Sequence, residues 1–249
     1  NLSGTGLRRT SLSEGIEGIG VAAFYECANL EEIHLPESIK EIKDRAFNGC
    51  KKLKEVVLPS GVENVGGDAF SNCTNIGKVT VKGNITSGGA AFVNAGSEVT
   101  DSEGNNKGLE VIYAPGVTTI GTSLMRNSLI REVNLPEGVE KIAKYAFSGC
   151  SKLERIELPE SMQTVGGEAF EGDSHVGRIK IESGGCSYER TYGKSIEVFS
   201  GCGTEAEDGL EIEFGKKVKE IPYLNLSGTG LRRTSLSEGI EGIGVAAFY

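Results

Sequence analysis

The sequence predicts a β-rich solenoid, a right-handed superhelix with one short parallel strand per coil and few or no long helices. A 21-residue motif recurs at intervals of about 23 residues. Within each copy, aliphatic residues are spaced two apart, as on one face of a strand. Hydrophobic residues make up only 38% of the 249 positions, and tryptophan is absent. That is little for one globular core, but it suits a stack of thin coils.

Four clear copies of the motif lie within the first 173 residues. They read LEEIHLPESIKEIKDRAFNGC at 30–50, LKEVVLPSGVENVGGDAFSNC at 53–73, IREVNLPEGVEKIAKYAFSGC at 130–150 and LERIELPESMQTVGGEAFEGD at 153–173. The shared template is L-x-x-I-x-L-P-x-x-V-x-x-I-x-x-x-A-F-x-x-C. A period of 20–29 residues with L-x-x-I-x-L in each copy is the signature of leucine-rich repeats.

A longer repeat encloses the short one, because residues 225–249 reproduce residues 1–25 without a mismatch, 224 positions later. Coils begin at 7, 30, 53, 76, 108, 130, 153, 176, 209 and 231. We predict that 1–249 is a single continuous solenoid, one 224-residue period of nine coils plus the 25-residue overlap. Insertions are predicted at about 93–107, 182–195 and 203–208. We interpret the chain as one period of a longer array.

Each coil is predicted to contain a strand, a stop, a second short apolar segment and an Ala-Phe pair. Proline provides the stop, because it has no N–H to continue the ladder. These prolines are Pro36, Pro59, Pro136 and Pro159. The phenylalanines of the Ala-Phe pairs are expected to stack about 4.8 Å apart, the strand spacing. They are Phe24, Phe47, Phe70, Phe92, Phe147, Phe170, Phe199 and Phe248.

Cysteine recurs three residues after this phenylalanine. The slot holds Cys27, Cys50, Cys73, Cys150 and Cys202. Ala95, Ser128 and Asp173 fill it in other coils, so we interpret it as a small-residue packing position with buried thiols. Disulfides between neighbouring coils remain an alternative, although three consecutive cysteines cannot all pair. The ladder lacks the spacing of a metal site, and we predict no metal and no cofactor.

The motif LPESIKEIKDRAFNGC and its siblings resemble the BspA-like leucine-rich repeat family, because A-F-x-x-C after I-x-x-x departs from the ordinary leucine-rich pattern. The coils at 76, 108, 176 and 209 are degenerate copies. The resemblance implies an extracellular or cell-surface protein associated with adhesion and protein binding. It implies no shared catalytic residues.

Two outward columns of the predicted sheet are the surface on which such a protein would bind a partner. The first column is Arg9, Glu32, Glu55, Lys78, Glu110, Glu132, Arg155, Arg178 and Glu211. The second is Ser11, His34, Val57, Thr80, Ile112, Asn134, Glu157, Lys180 and Glu213. Neither contains an aromatic residue, and opposite charges on adjacent strands favour a solvated, self-paired face over a protein-binding one.

The insertion ESGGCSYERTYGKS at 182–195 is predicted to be a contact loop. Cys186 is expected to be more exposed than the other cysteines there. Tyr188 and Tyr192 are expected to be the best exposed aromatic residues, with Arg190 between them. In the other insertion, Asp101 begins a D-x-E-x-N fragment that reads as an acidic surface turn rather than a calcium loop.

Charge, hydropathy and residue content exclude several classes of function. A net charge of −9 excludes a nucleic-acid backbone binder, and no apolar run is long enough to span a membrane. The two histidines are expected on the surface, and no catalytic constellation is evident, so we reject an enzyme. We predict a structural fibre or stalk of stacked coils, with copies of itself as partners, head-to-tail or lateral. The alternative is an adhesin or protein-binding module, with a host or matrix protein as partner.

Overall fold

A computed structural model describes residues 2–189, 198–224, 226–244 and 247–248. These residues form a parallel β-solenoid of about ten turns. This part of the chain contains no α-helix, and therefore no helix that could cross a membrane. The predicted leucine-rich-repeat fold is confirmed.

Every strand is short, from two to five residues. The strands are β1 (Arg9–Ser11), β2 (Gly18–Ile19), β3 (Glu32–His34), β4 (Glu41–Ile42), β5 (Glu55–Leu58), β6 (Asn64–Val65), β7 (Lys78–Val81), β8 (Ser87–Gly88), β9 (Glu110–Tyr113), β10 (Thr119–Ile120), β11 (Glu132–Asn134), β12 (Lys141–Ile142), β13 (Arg155–Leu158), β14 (Thr164–Val165), β15 (Arg178–Ile181), β16 (Ser187–Tyr188), β17 (Leu210–Phe214), β18 (Glu220–Ile221), β19 (Leu231–Ser235) and β20 (Gly242–Ile243). The odd-numbered strands form one face, which we call the main sheet. The even-numbered strands form the second sheet.

Neighbouring coils pair in parallel, with equivalent residues side by side. Ile156 of β13 lies beside Ile179 of β15, for example, and Ile42 of β4 beside Val65 of β6. The inward residues of each strand are buried while the outward ones face solvent, as the period of two requires. One continuous apolar core, a single coil wide, therefore runs through the stack.

The third side of each coil is a chain of turns rather than a strand. Its backbone N–H groups donate to carbonyl oxygens of the following coil: Phe47 to Ala69 at 2.8 Å, and Gly49 to Ser71 at 2.9 Å. The same direction recurs along the molecule, as from Phe147 to Ala169 at 2.9 Å. Left-handed residues such as Arg45 (φ 55°) turn the backbone so that these groups point along the stack.

Phenylalanine rings stack inside this third side. Ring centroids are 4.9 Å apart for Phe24–Phe47, 5.0 Å for Phe47–Phe70, 5.1 Å for Phe70–Phe92, 5.3 Å for Phe147–Phe170 and 5.7 Å for Phe170–Phe199. The rings are within 12° of parallel. Met125 takes the phenylalanine position in coil five and is fully buried.

Phe248 departs from the expected column. Its ring is 39% exposed and meets Phe214 edge-on at 6.4 Å. Leu226, not a phenylalanine, occupies the equivalent position in coil nine. The prediction of a stacked ring is therefore wrong at this position, because the preceding coil offers no aromatic face there.

The two sheets are interrupted at different coils. The main sheet is divided between β3 and β5 and between β9 and β11, whereas the second sheet is divided between β8 and β10 and between β16 and β18. Between β8 and β10, the side-chain oxygen of Asn84 accepts hydrogen bonds from the N–H groups of Thr118 and Thr119, at 2.8 and 3.0 Å. Because the main sheet stays paired where the second sheet is divided, the core remains continuous.

The stack predicts that truncating an interior ring is costly. Phe147→Ala should lower the free energy of unfolding by about 3–5 kcal/mol, because the Phe147 side chain is fully buried and its removal leaves a cavity in the core. Phe248→Ala should cost clearly less, since that ring is partly exposed. Urea unfolding followed by circular dichroism measures both. Equal effects would show that the column does not carry the packing energy.

Candidate functional site

The cysteine slot is built from the backbone of the preceding coil. The Cys50 thiol donates to the carbonyl oxygen of Phe24 at 3.2 Å, and the Cys73 thiol to that of Phe47 at 3.1 Å. Cys27, Cys150 and Cys202 make the same contact with Leu2, Met125 and Phe170, at 3.0, 3.2 and 3.1 Å. A small side chain with a weak donor thus satisfies a carbonyl without enlarging the coil.

All six cysteines are free and buried. Burial raises the pKa of the Cys73, Cys150 and Cys202 thiols, so the reactive thiolate is suppressed. The slot therefore has the chemistry of a packing position rather than of a nucleophile.

Asp173 is the exception within this slot. It is fully buried, and its Oδ1 accepts the backbone N–H of Cys150 at 2.8 Å, while no partner for Oδ2 is found among the described residues. Burial raises the pKa of this carboxyl well above its usual range, and hydrogen bonds from the Cys150 and Gly149 backbone only partly oppose the shift. The carboxyl is held between coils and does not face a cleft.

The predicted contact loop begins inside the fold rather than on it. Cys186 is only 8% exposed, and burial raises the pKa of its thiol to about 11. Ser187 and Tyr188 continue the second sheet as β16, where Tyr188 lies beside inward-facing Val165. The Tyr188 ring packs 6.0 Å from that of Phe199. The expectation that Cys186 and Tyr188 are exposed is wrong, because the insertion starts after this strand.

The other two residues of that loop, Arg190 and Tyr192, lie outside the described residues. Their role as contacts remains a prediction.

Asp101 closes a turn of the first insertion. Its Oδ1 accepts the N–H groups of Glu103 and Asn105, both at 2.9 Å, and these bonds to Asn105 and Glu103 lower the pKa of the carboxyl. The carboxylate is occupied by its own loop. Among the residues that the structure describes, no group of three or more His, Cys, Asp or Glu side chains could hold a metal ion.

Ser174, His175 and Glu205 form a surface cluster that the repeat pattern conceals, since they belong to two different coils. The Ser174 hydroxyl donates to Glu205 at 2.9 Å and lies 3.1 Å from Nδ1 of His175. The serine proton is thus directed at a carboxylate rather than at the histidine, which is the wrong arrangement for an activated nucleophile. His34 is exposed on the main sheet.

The outward face of the main sheet pairs many of its own charges. Arg9 lies 3.7 Å from Glu32, Lys78 lies 4.0 Å from Glu55, and Arg178 is bonded to Glu213. Such exposed pairs contribute only a few tenths of a kcal/mol each. Where these ion pairs form, few charged side chains on the face remain free to pair with a binding partner.

A cleft of about 770 Å³ interrupts this face between β9 and β11. Ile112, Tyr113, Leu135 and Pro136 supply its apolar lining, and Lys107 of the first insertion forms part of its wall. Ile112 is 37% exposed and Leu135 is half-buried. Its volume is within the range of about 300–1,000 Å³ that is common for binding pockets.

The cleft lies beside a coil that is one residue short. Coils five and six begin 22 residues apart, at 108 and 130, instead of 23. The Leu109 N–H donates to the Leu129 carbonyl at 3.0 Å, and beyond this contact β9 and β11 are no longer paired. The repeat pattern does not predict the cleft, although the 22-residue step and the adjacent glutamates Glu110 and Glu132 mark this junction in the sequence.

Comparison with known proteins agrees with the repeat fold. Residues 2–107 and 103–205 match the BspA type leucine-rich repeat region, which occurs in six copies. A leucine-rich repeat protein from Bacteroides ovatus is 22% identical, with a TM-score of 0.53, and the match covers 98% of this chain but only 64% of that one. A likeness at this identity concerns the fold alone.

Two further solved structures resemble the chain more loosely. A leucine-rich cell surface protein from Faecalibacterium prausnitzii is 21% identical with a TM-score of 0.39, covering 93% of this chain and 60% of that one. The pneumococcal vaccine antigen PcpA is 20% identical with a TM-score of 0.36, covering 96% and 69%. No curated protein matches the chain.

The buried thiols should not react in the folded protein. With Ellman's reagent at pH 8, we expect no rapid reaction before unfolding and six thiols in concentrated urea, because all six are buried out of reach of the reagent. One fast equivalent in the native protein, abolished by Cys186→Ser, would restore the expectation of an exposed Cys186.

Asp173 should make stability depend on pH. Its pKa is raised in the folded state, so its stabilising contribution is complete below the unfolded pKa of about 3.9 and is lost as pH rises through the folded value. Asp173→Asn stays neutral and keeps the acceptor. It should raise the free energy of unfolding at pH 8 by about 1 kcal/mol or more, and the gain should vanish near pH 4.

Urea midpoints at the two pH values measure this difference. The exposed Asp208→Asn is the matched control and should change neither midpoint appreciably. A gain from Asp173→Asn that is equal at both pH values would contradict a buried, titrating carboxyl.

Proposed function

Because this chain belongs to the BspA-type leucine-rich repeat family, we propose that it is a protein-binding segment of a surface-exposed or secreted protein. The cleft between β9 and β11 is the single observation that carries the proposal. It is a concave part of the main sheet where apolar side chains, Ile112 and Leu135 among them, are accessible to solvent. The rest of that face is largely charged and carries several ion pairs of its own.

The proposed role is non-catalytic. The serine, histidine and carboxylate that approach one another at Ser174 are arranged for surface hydrogen bonds. The cysteines are buried in the core, and burial raises the pKa of the Cys73, Cys150 and Cys202 thiols. A scaffold that presents a surface needs neither group.

A fibre or stalk is the second candidate function. The sequence at 1–25 occurs again at 225–249, and the coil that the second copy begins stacks directly on coil nine, with β19 paired to β17 and β20 paired to β18. Units repeated in this way would join into one continuous stack.

Surface exposure or secretion is the location that the family resemblance implies. The chain spans 64% of the Bacteroides ovatus protein that it resembles. The location and the partners of a longer protein that contains this chain are therefore proposals as well.

Site-specific photo-crosslinking separates the two candidates. A benzophenone amino acid at Ile112 should yield adducts with other proteins when cells that express the protein naturally are irradiated. The same probe at Lys152, which is exposed in a turn, is the control and should yield few. Adducts only with further copies of this chain would favour the fibre, and no adducts at Ile112 would contradict a binding role for the cleft.

A further inference from the structure

We propose that Asp173 is protonated in the folded protein, that its Oδ2 hydroxyl donates a hydrogen bond to the Phe147 carbonyl oxygen, and that loss of this proton releases the 203–208 insertion. Asp173 is thus a pH-sensitive latch between coil seven and its two neighbours. The latch lies outside the cleft between β9 and β11, so the inference does not rest on the proposed binding function.

The cysteine slot is a donor position that ties a coil to the preceding one. The Cys73 thiol donates to the Phe47 carbonyl oxygen at 3.1 Å, and that oxygen also accepts the Cys50 N–H at 3.1 Å. The other four slot cysteines make the equivalent bond from their thiols. A slot residue without a hydrogen to donate leaves this carbonyl with one bond fewer.

Asp173 fills the slot in coil seven, where the equivalent carbonyl belongs to Phe147. The Cys150 N–H lies 3.2 Å from the Phe147 oxygen and 2.8 Å from Asp173 Oδ1, so the carboxyl and the carbonyl converge on one donor. Oδ2 is buried, and no partner for it is found among the described residues. A carboxylate has no hydrogen to give, whereas a protonated carboxyl has one. Protonation therefore restores the bond that a slot cysteine makes.

The surroundings of Asp173 disfavour its charged form. Burial is the main reason that the pKa of this carboxyl is raised, and the negative charge of Glu171 raises it further. The N–H groups of Cys150 and Gly149 act in the opposite direction. The titratable groups that face it from coils six and eight are the buried thiols of Cys150 and Cys202, neither of which supplies a positive charge.

The 203–208 insertion is attached to the same corner of coil seven. The Gly203 N–H donates to the Asp173 carbonyl oxygen at 3.3 Å, and the Glu205 N–H donates to the Ser174 carbonyl oxygen at 2.9 Å. The Ser174 hydroxyl also donates to the Glu205 carboxylate at 2.9 Å. Because residues 173 and 174 hold these bonds, a movement of this corner away from coil six would release the insertion.

The first insertion is an internal reference for this attachment. The Gly96 N–H donates to the Cys73 carbonyl oxygen at 3.4 Å, and the Glu98 N–H donates to the Thr74 carbonyl oxygen at 2.9 Å, at the equivalent positions. There the slot holds a cysteine whose thiol is bonded to Phe47. The two insertions are therefore attached in the same way, one to a coil with a neutral thiol in the slot and the other to a coil with a carboxyl.

Ionisation of Asp173 opens the latch. The proton passes from Oδ2 to water, and the carboxylate then faces the Phe147 carbonyl oxygen with no hydrogen between them. A buried charge without a partner is costly, and entry of water at this corner relieves the cost locally. Because the pKa of Asp173 is raised in the folded state, the latch is closed at low pH and opens as pH rises through that value.

Amide hydrogen exchange tests the latch in the full chain. A protection factor compares each amide with an unfolded chain at the same pH, so the general acceleration of exchange by hydroxide is divided out. The protection factors of Gly203 and Glu205 should fall at least about tenfold between pH 5 and pH 8, whereas those of Gly96 and Glu98 should not. The same pH dependence at both insertions, or none at either, would overturn the proposal.

Substitutions in the slot make the test specific. Asp173→Cys places in coil seven the residue that the slot holds most often, and Asp173→Asn keeps an acceptor and a donor without a charge. Both should make the protection of Gly203 independent of pH, and a fall that persists in either variant would overturn the latch. The reciprocal Cys73→Asp should make the protection of Gly96 fall as pH rises. A folded Cys73→Asp chain without this response would contradict the argument from the slot.

His175 is the competing explanation for a switch at this corner. Histidine side chains commonly titrate between pH 5 and pH 8, and Nδ1 of His175 lies 3.5 Å from the Glu205 carboxylate. His175→Gln should leave the fall in Gly203 protection unchanged. Loss of the pH dependence in this variant would assign the switch to the histidine and not to Asp173.

Carboxyl carbon NMR reports the protonation state directly. The Asp173 signal is identified by its absence from the spectrum of Asp173→Asn. At pH 5 it should have the shift of a protonated acid, although an ordinary aspartate, with a pKa of about 3.9, is ionised at that pH. A carboxylate signal from Asp173 at pH 5 would overturn the proposal, whatever the exchange data show.

Discussion

The structure depends on the contact of each coil with the next. One coil has an apolar edge only a few side chains wide and backbone groups that it cannot satisfy within itself. Both needs are met by the neighbouring coil in the same register, as when Ile156 lies against Ile179 and the Phe147 N–H bonds to Ala169. The 38% hydrophobic content suffices because each apolar residue is covered from two sides. Everything else, including the cleft, follows from where this contact is kept and where it fails.

The dependence on register explains why the sequence predicted the regular parts of the fold. The template fixes which side chains face inward, so the coil starts, the phenylalanine column from Phe24 to Phe199 and the cysteine slot could be placed from spacing alone. The misplaced Cys186 and Tyr188 are different, because the insertion was assigned to begin too early, at 182. Tyr188 follows Val165 by the regular 23 residues and pairs with it, so the repeat continues through β16 and the extra residues of this coil come later.

The cleft could not be predicted from the pattern for a related reason. A 22-residue step occurs at both coil five and coil nine, and the main sheet is paired across one but divided across the other. The outcome depends on a small balance between a bulge, one row of hydrogen bonds and the charges of Glu110 and Glu132. Each contribution is of the order of one kcal/mol or less, so no repeat template encodes it. The proposed binding site therefore lies where the repeat is imperfect.

The turns on the third side give the molecule a net dipole along the axis of the stack. The N–H groups of Phe47, Gly49 and Phe147 all point towards the following coil, and their carbonyl partners point back. Peptide dipoles aligned in this way add, as they do in an α-helix, whereas the dipoles within ordinary sheets largely cancel. A stack of such coils is therefore polar along its axis, with amide hydrogens presented in one direction and carbonyl oxygens in the other. A coil joined in the reversed orientation would set like ends against each other, so this row of peptide groups alone would permit growth with only one polarity.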